Sequence, residues 1–194
     1  MNVHTVRSGK SVAHMRAELQ QEGQVVAYSS ASFAAPRTVD LRWQERTMPA
    51  VRPAESLPSV PIAELGGPQF AQFFDYRFGG ERMPMMGGDE AILRTWIRPT
   101  EPTVIDTGLA VGMLDAMVPA ILCRVSSPRP MASVDFRIQL FRSLPLVDVP
   151  PESHWLLDAH ARMVGDGYAE QMTWLFAPTG ELVGSCQQLI VVLA

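Results

Sequence analysis

Lysine is almost missing from this chain: Lys10 stands alone, and arginine carries the rest of the positive charge. No run of Lys or Arg occurs, and a formal net charge of −4 gives no general attraction to a phosphate backbone. A nucleic-acid partner is therefore not expected. Two cysteines, Cys123 and Cys186, are too few for a disulfide framework or a structural zinc site, and read as reduced, packed thiols. The histidines at 4, 14, 154 and 160 lack metal-ligand spacing. His154 and His160 flank a segment carrying Asp158 and read as a solvated strand edge, so neither metal nor cofactor is expected. The chain is polar from Asn2 to Glu22, without the apolar core of a signal peptide, which predicts a cytoplasmic protein. The longest apolar stretch, 104–125, is interrupted by Asp106, Asp115 and Pro119, and reads as a buried helix rather than a membrane span.

Two catalytic signatures are also missing. Ser8-Gly9-Lys10-Ser11 contains the end of a phosphate-binding loop, but His4 stands where its first glycine belongs and no helical pattern follows, so a hairpin turn is expected. No G-x-S-x-G elbow is present, which argues against an α/β-hydrolase serine nucleophile. The methionines at 83, 85 and 86 read as loop packing.

What is present is an ordinary globular balance, 47% hydrophobic and 19% charged, in a length of 194 residues that suits one large domain or two small ones. An internal repeat organises it. Sliding residues 12–33 onto 169–190 without gaps places Gly23 on Gly180, Val26 on Val183, Met15 on Met172, Leu19 on Phe176 and Phe33 on Ile190. Each copy reads as strand, glycine-containing turn, strand. Residues 3–7 and 11–19 and the run from Gln24 to Phe33 form an antiparallel meander, 1–36. A proline-rich stretch, 37–68, reads as an extended connector, with a short helix starting between Gly67 and Phe73.

The second unit, 69–194, opens on alternating Phe74, Tyr76 and Phe78. A strand from Ala91 to Arg98 places Leu93, Thr95 and Ile97 on one face and Ile92, Arg94, Trp96 and Arg98 on the other. An enclosed helix follows, capped by Thr103 or Asp106. Strands at 133–140, 155–164, 169–177 and 182–193 complete the unit. One buried helix wrapped by an antiparallel sheet is the hot-dog arrangement, α+β in class. The first copy of the repeat has almost nothing before it, so the expected organisation is a double hot dog whose first copy is incomplete.

Two polar residues sit in apolar surroundings. Asp135 opens a strand whose apolar face is read as Val134, Phe136, Ile138 and Leu140, close behind the helix. Gln188 lies mid-strand among Leu182, Val183, Leu189, Ile190, Val191 and Val192, and an unpartnered buried carboxamide costs about 1–3 kcal/mol. Ala31 holds the equivalent place in the first copy, so the fold itself does not demand glutamine there. Structural and functional uses of Gln188 both remain open on this ground.

Trp96-Ile97-Arg98, Met113-Leu114-Asp115, Ala132-Ser133-Val134-Asp135 and Val183-Gly184-Ser185-Cys186-Gln187-Gln188 together resemble the double hot-dog acyl-CoA thioesterases, the acyl-CoA thioesterase II kind within the thioesterase-like superfamily. Val3 to Gly9 and Tyr28 to Phe33 resemble parts of the first hot dog of that family. The resemblance implies hydrolysis of a fatty acyl-CoA or related acyl thioester by a water held by an aspartate, a glutamine and a Ser or Thr. Carried over by position, these are Asp135, Gln188 and, where the hydroxyl belongs, Met163. It also implies backbone amides near Gly108 as an oxyanion hole, and an acyl channel beside Leu109, Met113 and Met117. The alternative is a weak or inactive module that binds an acyl ligand or serves assembly. A homodimer or higher homo-oligomer is expected, because three strands without a helix leave an apolar face and an unpaired edge.

Overall fold

A computed structural model of the chain describes residues 1–193. It contains two compact units, Met1–Trp43 and a second that begins at Gln44. The first is a three-stranded antiparallel meander of β1 (Asn2–Ser8), β2 (Val12–Gln21) and β3 (Gln24–Ala34), in that order. Glu22 and Gly23, at φ 50° and 79°, turn β2 into β3 in two residues, the conformation whose twist matches that of the paired strands.

The second unit is a six-stranded antiparallel sheet in the order β4-β5-β7-β8-β9-β6. Its strands are β4 (Phe74–Phe78), β5 (Ile92–Pro99), β6 (Met131–Leu140), β7 (Trp155–Gly165), β8 (Tyr168–Phe176) and β9 (Leu182–Val192). The β8–β9 hairpin reproduces the β2–β3 hairpin, with Gly180 at φ 84° where Gly23 stands at 79°. Its loop is longer, so the pairing differs by one residue: Met15 faces Ala31, whereas Gln171, not Met172, faces Gln188.

Helix α1 (Thr107–Asp115) starts where Asp106 Oδ1 accepts the Leu109 amide at 2.8 Å, which settles the cap in favour of Asp106. The helix is shorter than the apolar stretch suggested. Pro119 disfavours a helical Val118 and removes a donor, so the chain leaves the helix after Asp115 and resumes as a 3-10 turn at Ala120–Arg124. Counted together, Thr107–Arg124 is long and apolar enough to cross a membrane. Here its Ala110, Met113, Leu114, Ala120, Ile121 and Cys123 are buried in the core.

The inner face of the sheet carries Leu93 and Ile97 of β5, Trp155, Leu157 and Ala159 of β7, and Leu175 and Val183 of the hairpin, all at most 1% exposed. This is the hot-dog arrangement, with α1 laid against a curved sheet. The outer face is covered too. The proline-rich residues from Gln44 onward do not stand off as a connector: Met48, Val51, Ala54 and Leu57 pack on Trp96, Leu156 and Phe176. Prolines keep this strap extended while its apolar side chains reach the sheet at intervals. Trp96 Nε1 donates to Arg52 O at 2.8 Å, and Leu182 N donates to Gln44 Oε1 at 2.8 Å, tying the strap to β5 and β9.

Candidate active site

Strand alternation sends Cys186, Gln188 and Ile190 of β9 inward and Gln187 and Leu189 outward. Gln188 is 7% exposed, and its Nε2 donates to Ser133 Oγ on β6. Its partners in register are Phe136 of β6 and Gln171 of β8. Gln171 is fully enclosed: its Oε1 accepts the Ala120 amide at 2.7 Å and its Nε2 donates to Thr173 Oγ1 at 3.3 Å. The 3-10 turn after Pro119, rather than the start of α1, is therefore fixed next to Gln188. Ile121 of that turn packs on Ala169 and Ile190, closing the apolar wall around the carboxamide.

Asp135 is near Gln188 in register but not on the same face. A bulge between Ser133 and Asp135 places one extra residue, Val134, in β6, so Ser133 pairs with Ile190 and Asp135 with Leu189. The bulge reverses the facing that alternation from Phe136 would give Ser133 and Val134, and leaves Asp135 on the outer face. Ser133 takes the position beside Gln188, while Val134 is 57% exposed and the Asp135 side chain 62% exposed, 3.6 Å from the Arg137 guanidinium. The expectation that this carboxylate lies against the helix is thus corrected. A second bulge, between Ala161 and Met163 of β7, lies at the same level. Together they align Asp135, Leu189, Glu170 and Met163 across the outer face. Glu170 is held there by Arg162 at 2.5 Å and by Gln187 at 3.2 Å.

The remaining predicted residues divide. Gly108 is exposed in the first turn of α1, and the Leu109 amide beside it is already taken by Asp106. Leu109 packs on the edge of the core, whereas Met113 and Met117 are core residues, 0% and 5% exposed. Burial pushes the Cys123 thiol up to about 11; burial, with the nearby Asp115 charge adding, pushes Cys186 up to about 12. Neither supplies a thiolate nucleophile near neutral pH. A cleft of about 60 Å³ lined by Gly80, Glu81, Arg82, Glu90, Ile92 and Arg94 lies along β5, three strands from Gln188, and its lining is too polar for an acyl chain.

His154 and His160 prove to be partners of buried carboxylates rather than a solvated edge. Asp158, 1% exposed, accepts from Arg46 at 2.5 Å, Arg94 at 3.3 Å and His160 at 2.9 Å, while the Arg46 guanidinium lies 3.3 Å over the Trp174 ring. His154 Nε2 is 3.0 Å from Asp75, which also binds Arg77. Burial acts to raise the Asp75 carboxyl, but hydrogen bonds from Arg77, Ser59 and His154 outweigh it and bring it down to about 2. Burial lowers His154 despite Asp75, which leaves the imidazole neutral at pH 7.

The acyl-CoA thioesterase C-terminal domain family matches residues 48–192, most of the chain and the whole of the site. The chain belongs to that family. Among solved structures, a conserved hot-dog protein of unknown function from Alicyclobacillus acidocaldarius superposes with a TM-score of 0.86 at 22% identity, covering 99% of this chain and 71% of that one. An acyl-CoA thioesterase II from Mycobacterium marinum gives 0.75 at 21%, covering 98% and 72%. A tesB protein from Mycobacterium avium subspecies paratuberculosis gives 0.72 at 20%, covering 99% and 70%. At these identities the likeness shows the shared α+β hot-dog fold. No match to a curated protein was found. Within the thioesterase domain, Ser133 and Gln171 were not singled out by sequence reading. The signal for Ser133 was its place two residues before Asp135; the signal for Gln171 was a glutamine on the same alternation as Ala169 and Leu175.

Proposed function

We propose that this chain hydrolyses a fatty acyl-CoA, or a related acyl thioester, to the free acid and a thiol. The observation that carries this reading is Gln188. Its carboxamide is enclosed on the inner face of a thioesterase-family domain, where its matching position in the meander is Ala31. A carboxamide held in an apolar wall fixes a water by hydrogen bonding and costs no reorganisation when that water attacks.

In this mechanism the water oxygen bonds to the thioester carbonyl carbon and the carbon–sulfur bond breaks. The proton released by the water passes to a carboxylate and then to the departing thiolate, so no covalent acyl-enzyme forms. Asp135 is the carboxylate of this reading. The backbone holds its Cβ on the outer face, so reaching the water requires the bulge of this edge strand to move one residue along; the exposed pair with Arg137 that now holds the carboxylate is weak.

A specific observation favours a second reading, a non-hydrolytic module that binds an acyl ligand or serves assembly: Asp135 faces away from Gln188, and Met163 offers no hydroxyl. A thiol-release assay over acyl-CoAs from acetyl to palmitoyl separates the two. Turnover lost in Asp135→Ala and Gln188→Ala supports hydrolysis with these roles. Absence of turnover with every chain length supports the module. β4 and β6 are the edge strands of the six-stranded sheet, and this reading includes a homodimer or higher oligomer, which sedimentation measures.

A further inference from the structure

We infer that Ser133 is a positioning residue for Gln188, supplying from β6 a hydroxyl of the kind that Met163 cannot supply from β7. The inference rests on the hydrolytic reading above and names a residue that the reading does not use.

The geometry begins with the bulge. Without Val134 as an extra residue, Ser133 would share the outward alternation with Asp135 and stand on the face opposite Gln188. With it, Ser133 pairs with Ile190 while Phe136 pairs with Gln188, so the serine side chain stands beside the glutamine on the face that carries Ile190 and Phe136. Gln188 Nε2 donates to Ser133 Oγ. That bond uses a donor of the carboxamide and leaves Oε1, its acceptor, without another hydrogen bond among the described residues. A carboxamide has two terminal orientations of similar energy, and only one of them presents oxygen to a water that must donate a proton toward it. Its neighbours Gln171, Phe136 and Ile190 cannot choose between those orientations: Gln171 spends both of its polar atoms on Ala120 and Thr173, and the other two are apolar. Ser133 is the group that makes the choice. A serine hydroxyl can accept from Nε2 and still donate its own hydrogen elsewhere, so it fixes the amide without being exhausted.

The position is suited to the task. Ser133 is exposed and Gln188 is nearly buried, so the pair sits where solvent meets the enclosed wall, the place from which a water enters. It lies on an edge strand, where a small polar residue needs no core packing.

The test compares wild type with Ser133→Ala, Ser133→Thr, Gln188→Ala and the Ser133→Ala/Gln188→Ala double variant. We expect Ser133→Ala to lower kcat about tenfold with KM unchanged, and Ser133→Thr to restore it, since threonine keeps the hydroxyl and favours strands. The double variant should be no slower than Gln188→Ala alone, because the serine acts only through the glutamine. Additive losses, or a Ser133→Ala enzyme with wild-type kcat, would overturn the assignment. The side-chain amide resonances of Gln188 provide a readout independent of turnover. They should show slowed hydrogen exchange in wild type and Ser133→Thr, and fast exchange in Ser133→Ala. If wild type turns over no acyl-CoA, the hydrolytic reading fails on that result. The amide spectrum then decides the serine separately, and exchange equally fast in wild type and Ser133→Ala sinks it.

Discussion

Gln171 and Gln188 face each other across β8 and β9 on the inner face of the sheet, and their carboxamides are used in opposite ways. Gln171 is saturated by Ala120 and Thr173, while Gln188 holds one bond, to Ser133, at the border of the buried wall. One glutamine is taken up by the fold, and the other keeps its oxygen without a hydrogen bond among the described residues.

Gln171→Leu is expected to destabilise the protein by about 1–3 kcal/mol, because it leaves the Ala120 amide buried without an acceptor. Chemical denaturation measures this. An unchanged unfolding midpoint would show that the 3-10 turn does not depend on the carboxamide.

Arg46→Ala is expected to cost about 2 kcal/mol, since it removes a charge-assisted bond to buried Asp158 and the stacking on Trp174. Trp174 emission should shift to the red as the strap loosens from the ring. A variant with wild-type emission and stability would place the anchoring of the strap elsewhere.

Acid should weaken the fold in two steps of the same sign. The native state holds both Asp75 and His154 below their ordinary values of 3.8 and 6.5. In each case the unfolded chain binds the proton more readily, so stability is lost as pH falls. The His154 part is present above pH 6.5 and fades below it. The Asp75 part, about 2 kcal/mol from its displacement, is lost between pH 3.8 and about 2. Thermal midpoints measured from pH 8 to pH 3 should therefore fall, and His154→Gln should flatten the step near pH 6. A midpoint that rises on acidification contradicts the sign.

Cys123 and Cys186, each 1% exposed and held up to about 11 and about 12, should react with an aromatic disulfide reagent only as the protein unfolds. The modification rate should follow denaturant concentration. Fast labelling of both thiols in buffer would show that the core around α1 opens locally.

Much of this fold could be read from residues in order. Gly23 and Gly180 mark equivalent turns, the alternation through Trp96 is the observed facing of β5, and Asp106 caps the helix it precedes. These features are local, set by periods of two or by a few adjacent residues. The site was less legible. Gln188 was visible because it is polar among apolar residues, and the outward facing of Asp135 follows from its alternation with Phe136 and Ile138, but the inward facing of Ser133 was not visible. A bulge adds one residue to a strand and leaves no mark in an alternation that is already mixed, as in Ser133-Val134-Asp135. Ser133 and Gln188 are 55 positions apart, and Arg46 and Asp158 are 112 apart, so neither partnership has a local signature. Pro119 did signal the early end of α1, though the apolar residues on both sides suggested one continuous helix.

The measurement that bears most directly on the central claim is the steady-state release of thiol from acyl-CoAs by wild type and Gln188→Ala, with circular dichroism confirming that both are folded. The account predicts measurable turnover in wild type and a kcat about a hundredfold lower in the variant, the scale of losing one preorganised hydrogen-bonding group. Equal turnover in the two proteins would contradict the account.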